Sequence, residues 1–238
     1  MTAPRPVFVH GSGGGRFTWD ATQRRFEGCL PLCLPGHPDG APLATAGALG
    51  AWLAHEIARI PGPRVLVGHS LGGAAALEAA LQAPDLVDGL VLVATGARLP
   101  VPDHAFQRAR TDLRAECERV VRASFVRQDP EVIAAAVERM AACGAQTLLA
   151  DYAACDATDL RDRLADVEVP ALVVSGAEDP LTPAWMGEEL AAGLPRARLV
   201  VVPAASHAVM VEAAETVDLA IAAFLALLEV DEDPFPPA

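Results

Sequence analysis

The chain contains no lysine. All 18 of its basic residues are arginines, spread over 238 residues. A Walker phosphate loop, a Schiff-base enzyme, a pyridoxal phosphate enzyme and a serine-lysine dyad each depend on a lysine amine. The sequence therefore excludes these four kinds of chemistry.

Positive charge is scarce as well. The 18 basic residues face 31 acidic ones, and the formal net charge is −13 at pH 7. Contacts with nucleic acid or with an anionic membrane surface require clustered cations. We therefore expect neither nucleic acid nor a membrane as a partner.

Long apolar runs are missing. No stretch approaches the roughly 20 apolar residues of a membrane span. Residues 1–9 also lack the charged head, long apolar stretch and small-residue cleavage site of a secretory signal. These two absences predict a soluble, cytoplasmic protein.

Cysteine is sparse and irregularly placed. There are five cysteines, an odd number, and none of them forms a C-x-x-C pair. This pattern argues against a disulfide framework and against a zinc site, and it favours buried free thiols. We expect no metal and no cofactor.

The most informative stretch that is present joins an apolar strand to an alanine-rich helix. Residues 64–67 form the strand pattern, residues 71–83 form the helix pattern, and the link between them reads Gly68-His69-Ser70-Leu71-Gly72-Gly73. A nucleophile elbow has this form, because small residues must flank a serine held at the tip of a sharp turn. An ordinary glycine-rich connection is the alternative interpretation of the pentapeptide alone.

A second glycine-rich loop follows the first predicted strand, residues 5–9. It reads His10-Gly11-Ser12-Gly13-Gly14-Gly15. A dinucleotide fingerprint fails on spacing, because Arg16 or Thr18 stands where the third glycine is needed. A backbone cradle for an oxyanion fits better, with Ser12 or Gly13 offering its N–H.

Strand and helix patterns alternate along most of the chain. The predicted strands are residues 5–9, 29–34, 64–67, 87–94, 169–175 and 197–202, and a final helix is predicted from Ser206 to about residue 229, followed by a frayed tail, residues 230–238. This alternation predicts an α/β fold with a doubly wound, mostly parallel sheet of about six strands, which binds ligands at the carboxyl ends of its strands.

The alternation is interrupted once, between residues 97 and 167. Four helical patterns replace the strands there, over residues 103–118, 119–126, 130–143 and 147–156. We interpret residues 97–167 as a helical cap, and residues 1–96 and 168–238 as the α/β core that carries it.

Three residues with complementary chemistry follow three predicted strands. Ser70, Asp179 and His207 occur in the chain order found on open α/β sheets with a nucleophile elbow. A serine hydroxyl needs an imidazole to accept its proton, and a carboxylate orients that imidazole and stabilises its cation. Glu178 is the alternative to Asp179 as the acid.

These motifs together resemble the α/β-hydrolase family over nearly the whole chain. The resemblance implies Ser70 as nucleophile, Asp179 as the acid and His207 as general base. It also implies an oxyanion hole from the backbone N–H groups of Ser12 and Leu71, and a cap over the site. Many members begin with an additional hairpin, so we expect a sheet shortened at that edge.

The resulting hypothesis is a serine hydrolase that cleaves carboxylic esters of small or medium acyl groups through an acyl-enzyme on Ser70. A small-molecule substrate is the expected partner, and the sequence carries no signal for an oligomeric state. A thioesterase, a carbon-carbon hydrolase and a cofactor-free lyase or perhydrolase are alternatives that use the same three residues. A non-catalytic receptor of the same fold is a further alternative, although such receptors typically lose a member of the triad.

Overall fold

Six strands form one parallel sheet in the computed structural model, which describes residues 3–229. The strands are β1 (Arg5–Val9), β2 (Leu30–Leu32), β3 (Arg64–His69), β4 (Gly89–Val93), β5 (Ala171–Gly176) and β6 (Ala197–Val202). They lie in the order β2-β1-β3-β4-β5-β6, and every neighbouring pair is parallel. The predicted doubly wound sheet is confirmed, while the predicted frayed tail, residues 230–238, lies outside the described residues.

Ten α-helices accompany these strands within residues 3–229. They are α1 (Asp20–Gln23), α2 (Ala46–Ile57), α3 (Leu71–Gln82), α4 (Asp103–Thr111), α5 (Leu113–Ser124), α6 (Pro130–Ala141), α7 (Ala145–Asp156), α8 (Ala184–Gly193), α9 (Val209–Glu212) and α10 (Ala214–Leu227). Short 3-10 turns occur at Arg16–Trp19, Pro84–Leu86 and Arg161–Asp166.

Both faces of the sheet are covered because alternate strand residues are apolar on both sides. Leu66, Leu90 and Leu92 belong to one buried cluster, which contains residues of α2, α3 and α8. Val65 and Val91 point the other way, into a second cluster completed by residues of α10. A parallel strand buried on both faces reads as a continuous apolar run, and this explains the sequences of β3, β4 and β5.

The predicted cap region contains α4 to α7, which follow β4 and precede β5. The chain enters and leaves this region side by side, since Arg98 and Asp159 form an antiparallel bridge and Leu160 N–H donates to the Ala97 carbonyl. The four helices share a buried apolar cluster of their own, which includes Val121, Ile133, Val137, Met140, Leu148 and Tyr152.

Three predicted helices are wrong in their bounds. The helices predicted over residues 103–118 and 119–126 divide at Asp112 rather than at residue 118, because the Asp112 carboxylate caps α5 by accepting the Ala115 N–H and α5 continues to Ser124. The helix predicted from Ser206 to about residue 229 is split at Ala213 and begins later, at Val209. His207 therefore lies in a turn between β6 and α9, where a loop rather than a helix sets its direction.

No single helix in residues 3–229 is long and apolar enough to cross a membrane. The pair α6 and α7 passes the same test of length and composition when taken together, and it is bent by 91°. All five cysteines are free thiols, of which Cys117 and Cys155 are buried and the other three are half-buried.

Candidate active site

Ser70 lies at the sharp turn between β3 and α3. Its backbone has φ 51° and ψ −119°, a positive φ that a residue with a side chain rarely adopts. The turn is fixed by hydrogen bonds, since Ser70 N–H donates to the Val93 carbonyl while the Ser70 carbonyl accepts from Gly73 N–H and from the Thr95 hydroxyl. Strain of this kind persists only where the surroundings over-determine it, and it is concentrated at functional sites.

The glycines on either side of Ser70 are required by close backbone contacts. A Cβ on Gly68 would collide with the Gly72 backbone, and a Cβ on Gly72 would lie 2.5 Å from the His10 carbonyl oxygen. The structure therefore contains the predicted strand, sharp turn and helix, and the two glycines allow the close backbone contacts of that turn.

Asp179 and His207 are in direct contact. Asp179 follows β5, His207 follows β6, and Oδ2 of the carboxylate lies 2.8 Å from Nδ1 of the imidazole. Burial acts to raise the pKa of Asp179, but the charge of His207 and hydrogen bonds from His207 and Thr182 outweigh it and hold that pKa below its ordinary value. The carboxylate is therefore ionised near neutral pH, whereas Glu178, the alternative acid, is exposed.

Thr182 is a neighbour of this pair that the sequence interpretation missed. Its hydroxyl donates to Asp179 Oδ2 at 2.6 Å and lies 3.1 Å from His207 Nδ1. The other carboxylate oxygen accepts the N–H groups of Leu181 and Thr182. The signal was present as Asp-Pro-Leu-Thr, because an aspartate followed by proline and then threonine is typical of a side-chain-capped turn.

His69, the residue before the serine, supports the turn. Its Nε2 lies 3.1 Å from the His207 carbonyl oxygen, and its ring packs 4.7 Å from the His207 ring. Burial and the neighbouring His207 lower the pKa of His69 to about 3. The imidazole is therefore neutral and donates its one N–H to that carbonyl.

Ser70 and His207 line the same cavity. No hydrogen bond joins the Ser70 hydroxyl to the His207 ring in the part of the chain that the structure describes. Hydrogen bonds between such groups are often long before a substrate is bound, so their shared cavity is the relevant observation.

The loop after β1 is held by His10. Leu34 N–H donates to Nε2 of this buried imidazole at 3.0 Å, so Nδ1 carries the proton and donates to the Gly11 carbonyl at 2.8 Å. Gly14 N–H donates to the same carbonyl. Because the Ser12 N–H points opposite to the Gly11 carbonyl in their shared peptide unit, these contacts constrain its direction from one side of Ser12.

The two candidate oxyanion donors of this loop differ in their contacts. Gly13 N–H is already occupied, since it donates to Asp151 Oδ2 at 2.8 Å. Ser12 and Gly13 both line the cavity together with Ser70. Leu71 is the first residue of α3, so its N–H has no acceptor within the helix. Ser12 and Leu71 are therefore better placed than Gly13 to donate to a ligand.

A cavity of about 440 Å³ opens over Ser70 and His207. Most of its walls are apolar side chains: Leu99, Val101, Val121, Phe125 and Met140 of the cap region, and Val211 of α9 among others. Two arginines also line it: Arg119, paired with the buried Glu116, and Arg139, stacked 5.4 Å from the centre of the Phe17 ring. Among residues 3–229, no group of His, Cys, Asp or Glu side chains is arranged to hold a metal ion.

Comparison with known proteins agrees with this fold. Residues 7–219 match the model of the alpha/beta hydrolase family. A pimeloyl-[acyl-carrier protein] methyl ester esterase of Neisseria meningitidis serogroup A is 32% identical over 225 residues, which cover 87% of this chain and 72% of that protein. The protein of the same name in Chromobacterium violaceum is 34% identical over 86% of this chain and 87% of its own.

A solved structure described as a thermophilic esterase is similar as a whole. Its TM-score is 0.86 at 29% sequence identity, and the match covers 94% of this chain and 90% of the other. The chain therefore belongs to the alpha/beta hydrolase family. The prediction of an ester-hydrolysing enzyme of this family is confirmed.

Proposed function

We propose that the protein is a serine esterase that hydrolyses carboxylic esters of small or medium acyl groups through an acyl-enzyme on Ser70. The observation that carries this proposal is the hydrogen-bonded Asp179–His207 pair beside a cavity that also exposes a strained serine turn. Each of the three groups supplies a different part of acyl transfer.

In the first half of the reaction, His207 removes the proton of the Ser70 hydroxyl as its oxygen attacks the ester carbonyl. Asp179 holds the proton on Nδ1, so Nε2 is free to accept the serine proton, and its charge stabilises the imidazolium that results. The tetrahedral oxyanion accepts hydrogen bonds from the N–H groups of Ser12 and Leu71. The carbon-oxygen bond then breaks, and the alcohol leaves with the proton held by His207.

In the second half, water replaces the alcohol. His207 accepts a proton from the water, whose oxygen attacks the acyl-enzyme, and the same oxyanion contacts form again. Collapse of this intermediate breaks the bond to Ser70 and returns the proton to the serine. The acid product then leaves through the cavity.

The apolar walls of the cavity favour a substrate with an uncharged acyl chain of short to medium length. A volume of about 440 Å³ lies within the range of roughly 300–1,000 Å³ that is usual for small-molecule sites. Esters, thioesters and activated carbon-carbon bonds present similar carbonyls to Ser70, so the cavity, more than the triad, selects among them.

A narrower candidate is the methyl ester of an acyl chain held on a carrier protein. The relatives at 32% and 34% identity carry the name of such an esterase. Arg119 and Arg139 also line the cavity from two cap helices, and arginine pairs well with phosphate and carboxylate groups. Hydrolysis of pimeloyl methyl ester on its carrier far faster than that of dimethyl pimelate would favour this substrate.

The esterase proposal is tested with p-nitrophenyl esters of graded chain length, a thioester and a cyanohydrin, using the wild type, Ser70→Ala and Ser124→Ala. Ser124 is a matched control, because it is another serine of the cavity whose hydroxyl donates to the Val120 carbonyl of its own helix. We expect Ser70→Ala to lose activity by about 10⁴-fold or more, and Ser124→Ala to keep it. Esterase activity that survives in Ser70→Ala would overturn the proposal.

A further inference from the structure

A buried carboxylate outside the predicted triad contacts the loop after β1, which bears Ser12. Asp151 lies on the cap helix α7, and its side chain is 3% exposed. Its Oδ2 accepts the Gly13 N–H at 2.8 Å and lies 3.1 Å from His37 Nε2. One oxygen of a cap residue therefore joins the loop after β1 to the turn after β2.

His37 completes the charge balance of this contact. Its Nδ1 lies 3.2 Å from the Leu34 carbonyl, so both ring nitrogens face oxygen acceptors and both carry protons. Burial acts to lower the pKa of His37, but the hydrogen bond and charge of Asp151 raise it above its ordinary value. The buried carboxylate is thus paired with an imidazolium, as a buried charge requires.

The other ionisable groups around the pair are neutral. The His10 ring packs 4.7 Å from the His37 ring, and burial together with the charge of His37 lowers the pKa of His10 to about 3. Burial, with the charge of Asp151, raises the pKa of the Cys143 and Cys155 thiols to about 12. The only charge pair at this point is therefore Asp151 and His37 among the residues that the structure describes there.

Asp151 acts on the peptide unit next to the one that bears the Ser12 N–H. Gly13 has φ +61°, and its N–H, held by Asp151, fixes the peptide between Ser12 and Gly13. One helical turn along α7, Cys155 Sγ lies 3.5 Å from the Ser12 hydroxyl. The cap helix thus holds the loop at two consecutive residues.

We propose that Asp151, paired with His37, is a positioning residue for ester hydrolysis, which holds Ser12 N–H toward the developing oxyanion by fixing the adjacent peptide. This inference rests on the proposed function, in which Ser12 is an oxyanion donor. Its consequence is that the cap helix α7 must be seated on the core before the oxyanion hole is complete.

A purely structural role for the pair is the alternative that the experiment must separate. Thr147 supplies a matched control on the same helix, because its hydroxyl donates to the Gly36 carbonyl in the turn that bears His37, without touching Gly13. Thr147→Ala therefore loosens α7 from the same turn and leaves the Gly13 contact in place. Asp151→Ala removes the Gly13 contact, and Asp151→Asn keeps an oxygen acceptor without the charge.

The readouts are kcat and KM for p-nitrophenyl butyrate, inhibition by a trifluoromethyl ketone, which forms a tetrahedral oxyanion with serine, and the midpoint of thermal unfolding. Because one oxyanion donor is worth about 10²–10³ in kcat, we expect a partly misplaced one in Asp151→Ala to cost about 10-fold to 100-fold, with KM within about twofold. Ketone affinity should fall by the same factor as kcat.

The control and the conservative variant should behave differently. Thr147→Ala should lower the unfolding midpoint while kcat and ketone affinity stay within about twofold, since no oxyanion contact is lost. Asp151→Asn should lie between Asp151→Ala and the wild type in both kcat and ketone affinity, with both quantities reduced from the wild type by the same factor. If Asp151→Ala does not fold, equal losses of kcat and ketone affinity in Asp151→Asn alone support the positioning role.

Two failures are distinguishable. If Asp151→Ala and Asp151→Asn are destabilised but match Thr147→Ala in kcat and ketone affinity, while Ser70→Ala is inactive, the positioning role is wrong and the esterase proposal stands. If Ser70→Ala remains active, the esterase proposal is wrong and the positioning role falls with it.

Discussion

The Thr182 hydroxyl offers a sharp test of how the acid is held. It donates to Asp179 Oδ2 at 2.6 Å in a buried setting, and the same carboxylate oxygen contacts His207. Thr182→Val keeps the shape of the side chain and replaces this hydroxyl with a methyl group. The carboxylate loses one of its hydrogen bonds and keeps the backbone N–H groups of Leu181 and Thr182.

The size of the effect follows from the charge of the acceptor. A hydrogen bond to a charged group contributes about 1.5–3 kcal/mol, against about 0.5–1.5 kcal/mol for one between neutral groups. Thr158→Val is the matched control, because the Thr158 hydroxyl is also buried and donates to a neutral carbonyl, that of Ala154. The loss in unfolding free energy should therefore be larger for Thr182→Val than for Thr158→Val.

The pH dependence should change in a defined direction. The pKa of Asp179 is lowered in the folded protein, so its ionisation stabilises the fold above the unfolded pKa and this contribution is lost as the pH falls through the folded pKa. Removing the Thr182 hydroxyl weakens one of the causes of that lowering. The acid limb of the stability profile should therefore move to higher pH in Thr182→Val.

Urea unfolding between pH 3 and pH 8 measures both quantities, with kcat/KM followed on the same samples. We expect Thr182→Val to lose more stability than the control, to lose it at higher pH, and to show reduced kcat/KM. If the two variants lose the same free energy and share one acid limb, the hydroxyl does not hold the carboxylate and the reasoning is refuted.

Three further predictions concern other parts of the molecule. Gly72→Ala, whose Cβ would lie 2.5 Å from the His10 carbonyl oxygen, should destabilise the protein by several kcal/mol in urea unfolding. Gly47→Ala, whose Cβ would meet no atom closer than 3.8 Å, should stabilise it by about 0.5–1 kcal/mol, and equal stability of the two variants would contradict this. His37→Gln should cost most stability at low pH and less as the pH rises, and a cost independent of pH would be the contrary result. The reason is that the pKa of His37 is raised in the folded protein, so its charge stabilises the fold below an unfolded pKa of about 6.5 and this contribution is lost as the pH rises through the higher folded pKa. Glu212→Ala removes the acceptor for the N–H groups of Val126, Arg127 and Ser206, so amide exchange at these residues should accelerate, and unchanged exchange would show that the carboxylate does not hold them.

The parts of the fold that sequence predicts are those that short-range patterns determine. The elbow could be predicted because Gly68 and Gly72 are needed within four residues of each other, and the sheet because its strands are continuous apolar runs bounded by glycine and proline. Asp179 and His207 could be placed because each follows a strand, and parallel strands end at one edge of the sheet.

The contacts that sequence did not predict join distant residues or depend on a local break. Asp151 and Gly13 are 138 residues apart, and nothing in the composition of α7 marks its aspartate as a partner for that loop. The break at Ala213 is hidden because alanine favours helix, whereas the structure gives Ala213 a non-helical backbone with φ −130° and ψ 44°.

The central claim is that Ser70 becomes acylated during turnover, and the most direct test is to locate that acyl group. The enzyme would be mixed with an excess of p-nitrophenyl butyrate, quenched in acid within milliseconds to seconds, digested and analysed by peptide mass spectrometry. We expect a butyryl group on Ser70 that forms and decays at rates consistent with kcat, and that accumulates in His207→Ala only far more slowly. A butyryl group on another residue, or rapid turnover with Ser70 never modified, would contradict it.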